Sequence, residues 1–219
     1  LYAKSIANSH FSNMSMKYQN YGIEANDITT TLFDNYDNQR VYPYDLFEKN
    51  VALNYHGKKD EEPSIRVGAS VRHYNLLFAN NAILNSFYLN NYDNIRAIGS
   101  FDASDNRTTF DISGNYWGTT NPDLVKVQCY DADWNVSKND LIQEPYLTLD
   151  DDMSEIYPFV TEAYLTDKDG NRIDKVSGAQ TVKMHVKFNR DMASDVQPMV
   201  TYGGSEPYTD FAVSGDWAN

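Results

Sequence analysis

A chain with a single cysteine, Cys129, cannot close an internal disulfide. It is therefore not a small secreted domain stapled by bridges. Its thiol usage fits either a cytosolic protein or an exported bacterial one that works without disulfides. The four histidines (His10, His56, His73 and His185) share no paired spacing and have no second thiolate to join them, which argues against a zinc site, and no metal is expected. A Gly-rich phosphate loop and a Gly-x-Ser-x-Gly elbow are both missing, so nucleotide-dependent and serine-hydrolase chemistry are disfavoured and no cofactor is implied. Apolar runs reach only a few residues, far short of the ~20 needed to cross a bilayer, so no membrane span is expected in this segment. Positive charge is scarce: 18 Lys and Arg stand against 31 Asp and Glu, a formal charge of −13. Such a surface repels phosphate backbones and anionic lipid, which sets aside nucleic acid as a partner. The chain opens at Leu1-Tyr2-Ala3 with no basic or apolar leader and closes at Trp217-Ala218-Asn219 without a terminating pattern. Both ends read as cuts from a longer polypeptide, so contacts with missing parts of a parent chain are expected.

Helical periodicity is also nearly absent. Short apolar or aromatic runs alternate with Asn/Asp/Ser/Gly turns, which is the pattern of short strands. Ser5–Asn13, Leu32–Asn35, Asp45–Asn50 and Leu76–Asn85 are such units. A tetrapeptide recurs as Asn35-Tyr36-Asp37-Asn38 and Asn91-Tyr92-Asp93-Asn94, which suggests stacked repeats. In a stack of that kind each unit places Ile, Leu, Val or Phe inside, and none is stable without its neighbours. Asn at equivalent turns tolerates the left-handed conformation and can pass side-chain hydrogen bonds between units. Tyr42-Pro43-Tyr44 and His56–Pro63 break the rhythm and read as polar loops, candidate functional elements built from the turns. Aromatics make up 14% of the chain, mostly Tyr, which suits sheet packing first and ligand stacking second.

Asn115-Tyr116-Trp117-Gly118, then a Thr/Asn/Pro turn and the apolar Leu124, Val125 and Val127 leading to Tyr130-Asp131, resembles the end of a right-handed parallel β-helix of the pectate-lyase-like kind found in large bacterial surface proteins. Trp117 is expected to cap the last core layer, Gly118 to let the chain turn away, and Val125–Trp134 to form one last extended element. Past an acidic segment, alternation returns in Phe159–Thr166 and in Thr181–Phe188, joined through a tight turn at Asp167–Asn171. Met199–Tyr202 and Thr209–Val213 read as two further strands. Val186-Lys187-Phe188, Asn189-Arg190-Asp191-Met192 and Pro198-Met199-Val200 resemble the opening of bacterial immunoglobulin-like sandwich modules. The expected fold is all-β: right-handed parallel β-helix coils over 1–134, an acidic connector over 135–156, and an incomplete immunoglobulin-like β-sandwich over 157–219.

These resemblances imply an exported bacterial protein, extracellular or at the cell surface, that binds or processes complex glycans. If it is an enzyme, a glycoside hydrolase or polysaccharide lyase of the β-helix type is implied. The alternative is a structural stalk or adhesin segment with no catalysis. Glycoside hydrolysis needs two carboxyls about 5–10 Å apart. Asp102 and Asp105 are the catalytic candidates, while Tyr88, Tyr92 and Asp93 are the ligand-binding ones; no catalytic residue carries over from a known enzyme family. Asp167–Asn171 lacks the ligand spacing of a calcium loop and reads as a hairpin turn, and Asp150-Asp151-Asp152 reads as a charged linker. Asn13, Asn106 and Asn135 sit in Asn-x-Ser/Thr matches that carry no weight for a bacterial protein.

Overall fold

A computed structural model describes residues 1–12, 23–34, 41–53, 76–84, 109–126, 128–129, 140–178, 180–196, 199–201, 203, 205, 210, 213–215 and 217. Among these residues the protein is all-β apart from one short helix. Leu1–Asn189 make one compact unit and Arg190–Asn219 a second.

Within the first unit the chain alternates between two parallel sheets. Strands β1 (Tyr2–Ala7), β3 (Ile23–Thr29), β5 (Val41–Glu48) and β7 (Leu77–Ala79) lie side by side in that order. Strands β2 (His10–Ser12), β4 (Leu32–Asp34), β6 (Val51–Leu53) and β8 (Ala82–Leu84) form the second sheet in the same sequence. Each strand of the first sheet passes to its successor in the second through a two-residue corner, so strand pairs stack as tiers. A fifth tier runs through β9 (Thr109–Asp111) to Tyr116, which bridges Ala82. A sixth runs through β10 (Asp140–Ile142), parallel to β9, to Leu147, which bridges Tyr116.

The corners explain why these sequences bend where they do. Asn8, Thr30, Lys49 and Asn80 all have positive φ (49°, 47°, 61° and 57°), and Gly114 takes the same place at 68°. For the non-glycine residues this conformation costs on the order of 1–2 kcal/mol. From the third tier to the fifth, the second corner residue is an asparagine that holds the corner of the tier before. Asn50 accepts the Thr31 N–H at 3.0 Å and donates to the Ile28 carbonyl at 2.8 Å. Asn81 does the same for the Asn50 N–H and the Phe47 carbonyl, and Asn115 for the Asn81 N–H and the Phe78 carbonyl. All three amides are fully buried. Each clamps the corner of the preceding tier, satisfying backbone groups that the parallel ladder leaves over.

Inside the stack, facing positions five residues apart share the available width. The pairs are Ile6 with Phe11, Ile28 with Phe33, Phe47 with Ala52, Phe78 with Ile83, and Ile112 with Trp117. Each pair has one aromatic ring, held by the second sheet in two tiers, by the first in the next two, and by Trp117 in the fifth. Stacked contacts run Phe11–Phe33 at 5.5 Å, Phe33–Phe47 at 6.1 Å and Phe47–Phe78 at 4.8 Å between ring centres. The outer row Leu32, Val51, Ala82, Tyr116 and Leu147 does not meet solvent as an open face. Met153, Ile156 and Phe159 pack over it as a strap, with Phe159 stacked on Tyr116 at 5.7 Å. The Tyr157 N–H donates to the Lys49 carbonyl, and Glu155 pairs with the Lys49 ammonium at 2.7 Å.

The strap leads into an antiparallel sheet of β11 (Val160–Thr166), β12 (Arg172–Ile173) and β13 (Lys183–Phe188), ordered β12-β11-β13. The Asp167–Asn171 turn forms as expected: Asp167 Oδ1 accepts the N–H groups of Asp169 and Asn171, and Gly170 takes φ 86°. Asn189 ties this sheet to the strap. Its amide donates to the carbonyls of Met153 and Ile156 and accepts the Phe159 N–H.

Four expectations change. Tyr42-Pro43-Tyr44 is not a loop but the start of β5, where Val41 and Pro43 are buried and the tyrosines alternate outward. Val125–Trp134 does not continue as a strand from its first residues: Pro122–Lys126 form helix α1. Asn121 caps it, its side chain accepting the Asp123 N–H, and Pro122 opens the first turn, where its missing N–H costs nothing. Trp117 does not close the stack, since the sixth tier follows; it is 2% exposed in a core that also holds Val125, Cys129 and Leu141. Gly118 turns as expected, at φ 74°. In the second unit, residues 199–201 and 213, read as strands, lie outside any strand; Met199 is 92% exposed. The repeated Asn-Tyr-Asp-Asn tetrapeptides and the His56–Pro63 loop lie outside the described residues.

Two outcomes follow from this packing. Asn81→Ala strands the Asn50 N–H and the Phe47 carbonyl in the core and is expected to cost about 2–4 kcal/mol in urea unfolding, whereas Ser9→Ala, at the exposed first corner, should cost under about 0.5 kcal/mol. Equal losses would show that the buried amides do not hold the tiers. Burial raises the Tyr116 phenol above its ordinary pKa near 10, and the Tyr146 phenol is raised by burial and by the Glu144 carboxylate. A group whose acid form is neutral and whose pKa rises on folding stabilises the fold below its unfolded pKa and loses that contribution as pH climbs through the folded value. Stability should therefore drop above about pH 10, and Tyr116→Phe should flatten that drop in a pH series of unfolding midpoints.

Candidate functional site

The first parallel sheet buries Ile23, Ala25, Ile28, Val41, Pro43 and Phe47 on its inner side and so turns Glu24, Asn26, Asp27, Tyr42, Tyr44 and Asp45 outward. In-register pairing sets Tyr2, Glu24 and Tyr42 in one row across three strands. With strands about 4.8 Å apart, the two tyrosines of that row stand about 10 Å apart along the stack. Tyr2 is 76% exposed and Tyr42 half-buried.

A bulge shapes the middle of this face. Ala25 pairs with Pro43 but Asp27 pairs with Leu46, so Asn26 alone opposes Tyr44 and Asp45. The extra residue re-aims both side chains, as bulges do beside binding sites, and also accommodates Pro43, which has no N–H to donate. Tyr44 Oη donates to Glu24 Oε2 at 2.8 Å, and Asn26 Nδ2 donates to Asp45 Oδ2 at 2.8 Å. Each of these two carboxylates is held in place by a neighbour on the next strand and keeps lone pairs for another donor. The result is a shallow outer surface of tyrosine rings and oriented hydrogen-bond acceptors.

Of the residues singled out from sequence, Tyr42 and Tyr44 stand on this face. Tyr88, Tyr92, Asp93, Asp102 and Asp105 lie outside the described residues. The acidic run Asp150–Asp152 makes local turns: Asp151 accepts from the Thr148 N–H and hydroxyl, and Asp152 from the Ser154 N–H, with the Ser154 hydrogen bonds holding the Asp152 carboxyl below its usual value. The Asp167 carboxyl is lowered chiefly by the side chain and N–H of Asn171, so its acidity belongs to the turn. Among the described residues, no group of three or more His, Cys, Asp or Glu is placed to hold a metal ion, and no helix is long and apolar enough to cross a membrane.

Sequence reasoning passed over Glu24, Asn26, Asp27 and Asp45, and it named Tyr42-Pro43-Tyr44 as a functional element but placed it in a loop. A usable signal was present in Val41-Tyr42-Pro43-Tyr44, whose strict alternation marks a strand with both tyrosines on one side. Proline, read as a loop former, concealed it. No protein-family model matches the chain, and neither the curated proteins nor the solved structures searched include a match.

Proposed function

We propose that this chain is a segment of an exported bacterial surface protein, a right-handed parallel β-helix followed by an immunoglobulin-like module, and that the outer face of its first sheet binds a glycan. The parallel, alternating sheets, the left-handed corners and the row of buried asparagines support the helix reading. The antiparallel β12-β11-β13 sheet supports the second module.

The Tyr2–Glu24–Tyr42 row carries the binding reading. Rings about 10 Å apart match two linked sugar units in span, and sugar C–H faces stack on aromatic rings while hydroxyls donate to fixed carboxylates. A reading without chemistry, a stalk or adhesin segment, is supported by a different observation: Asn189 ties the strap to the end of β13 through three hydrogen bonds.

A glycan array probed with the chain, followed by titration of the best binder, separates the two. Under the binding reading Tyr42→Ala lowers affinity roughly tenfold with the unfolding midpoint little changed. Absence of binding to every glycan, or equal affinity after Tyr42→Ala and Tyr44→Ala together, leaves the stalk reading.

A further inference from the structure

The outer face of the first sheet is unevenly charged. Its strands carry the carboxylates of Glu24, Asp27, Asp45 and Glu48 but one cation, Lys4. All five are at least partly exposed. The nearest other ammonium at the corners, Lys49, is engaged by Glu155, whose hydrogen bond raises the Lys49 pKa. Among the described residues, then, nothing on this face is available in number to balance an anionic ligand. The sequence as a whole adds to the bias, at −13.

At the bulge the polar groups lean toward acceptors. With Tyr44 donating to Glu24 and Asn26 to Asp45, the strongest donors at the bulge are turned inward upon the face's own carboxylates. What the face offers outward at these points is acceptor capacity, suited to a ligand rich in hydroxyl donors. A ligand whose own carboxylates are acceptors meets like charge in place of a donor, and the repulsion acts across every residue of a repeating anionic polymer.

We infer that this face selects uncharged, hydroxyl-rich glycans and rejects polyuronates, an inference that rests on the glycan-binding reading of the same surface.

The test compares binding of the chain to neutral polysaccharides (a mannan, a xylan and a β-glucan) and to polygalacturonate, each at low and high salt. The best neutral polysaccharide should bind at least tenfold more tightly than polygalacturonate at low salt, and the gap should narrow at high salt as the repulsion is screened. Asp27→Asn with Glu48→Gln should narrow the low-salt gap several-fold. A control that removes the same number of charges from the antiparallel hairpin, Asp169→Asn with Asp174→Asn, should leave it unchanged, which separates the face from net charge. Polygalacturonate binding as tightly as the best neutral polysaccharide overturns the inference and leaves the glycan reading in place. So does an equal response of the two double variants. Failure of all polysaccharides to bind removes the glycan reading, and the inference with it.

Discussion

The buried asparagine amide is the contact on which the rest of this fold depends. Parallel strands pair along their length, but a chain that switches sheets must leave backbone groups unpaired at the bend, inside the core. Asn50, Asn81 and Asn115 each supply one acceptor and one donor at that point, aimed at the tier before their own. A carboxylate could accept but not donate, and a hydroxyl could not span both groups. Thr31, at the equivalent position one tier earlier, turns its hydroxyl to the Thr29 carbonyl of its own tier. The clamp thus begins at Asn50 and ends at Asn115, and at the sixth tier Tyr146 lies against the core in its place.

With the corners settled, side-chain volume decides the interior. Each facing pair holds one aromatic, and the change of side between Phe33 and Phe47 preserves the stack because those rings still meet. Placing two rings in one tier would force the sheets apart, and placing none would leave a void, each at a cost of a few kcal/mol. Outside the second sheet, the strap of Met153, Ile156 and Phe159 converts a second apolar row into core, which leaves the first sheet as the one with polar and aromatic side chains turned outward, beside the exposed Leu77.

The strand character, the turn role of asparagine and the hairpin at Asp167 were legible in the sequence because each is local. What was not legible depended on neighbours far along the chain. Both abilities expected of asparagine at the turns are present, but which residue takes which was not readable: Asn8 and Asn80 adopt the left-handed backbone, while Asn50, Asn81 and Asn115 make the clamps. The repeated Asn-Tyr-Asp-Asn caught attention without marking the register, since Asn35 directly follows β4 whereas Asn91 comes seven residues after β8 ends. The Asn121-Pro122 pair was a legible helix start, hidden by the apolar run behind it. The tyrosine face could not be assembled from sequence, because Tyr2, Glu24 and Tyr42 become neighbours only through pairing across tiers.

The spacing between clamps carries a consequence of its own. Thr31 to Asn50 is 19 residues, Asn50 to Asn81 is 31, and Asn81 to Asn115 is 34, yet the hydrogen bonds across those steps are 2.9–3.0 Å throughout. The corner therefore indexes each layer without measuring the chain between layers. Segments far from it are free to lengthen, shorten or be exchanged by recombination while the stack keeps its order, so this architecture can acquire new surface elements one layer at a time without being redesigned.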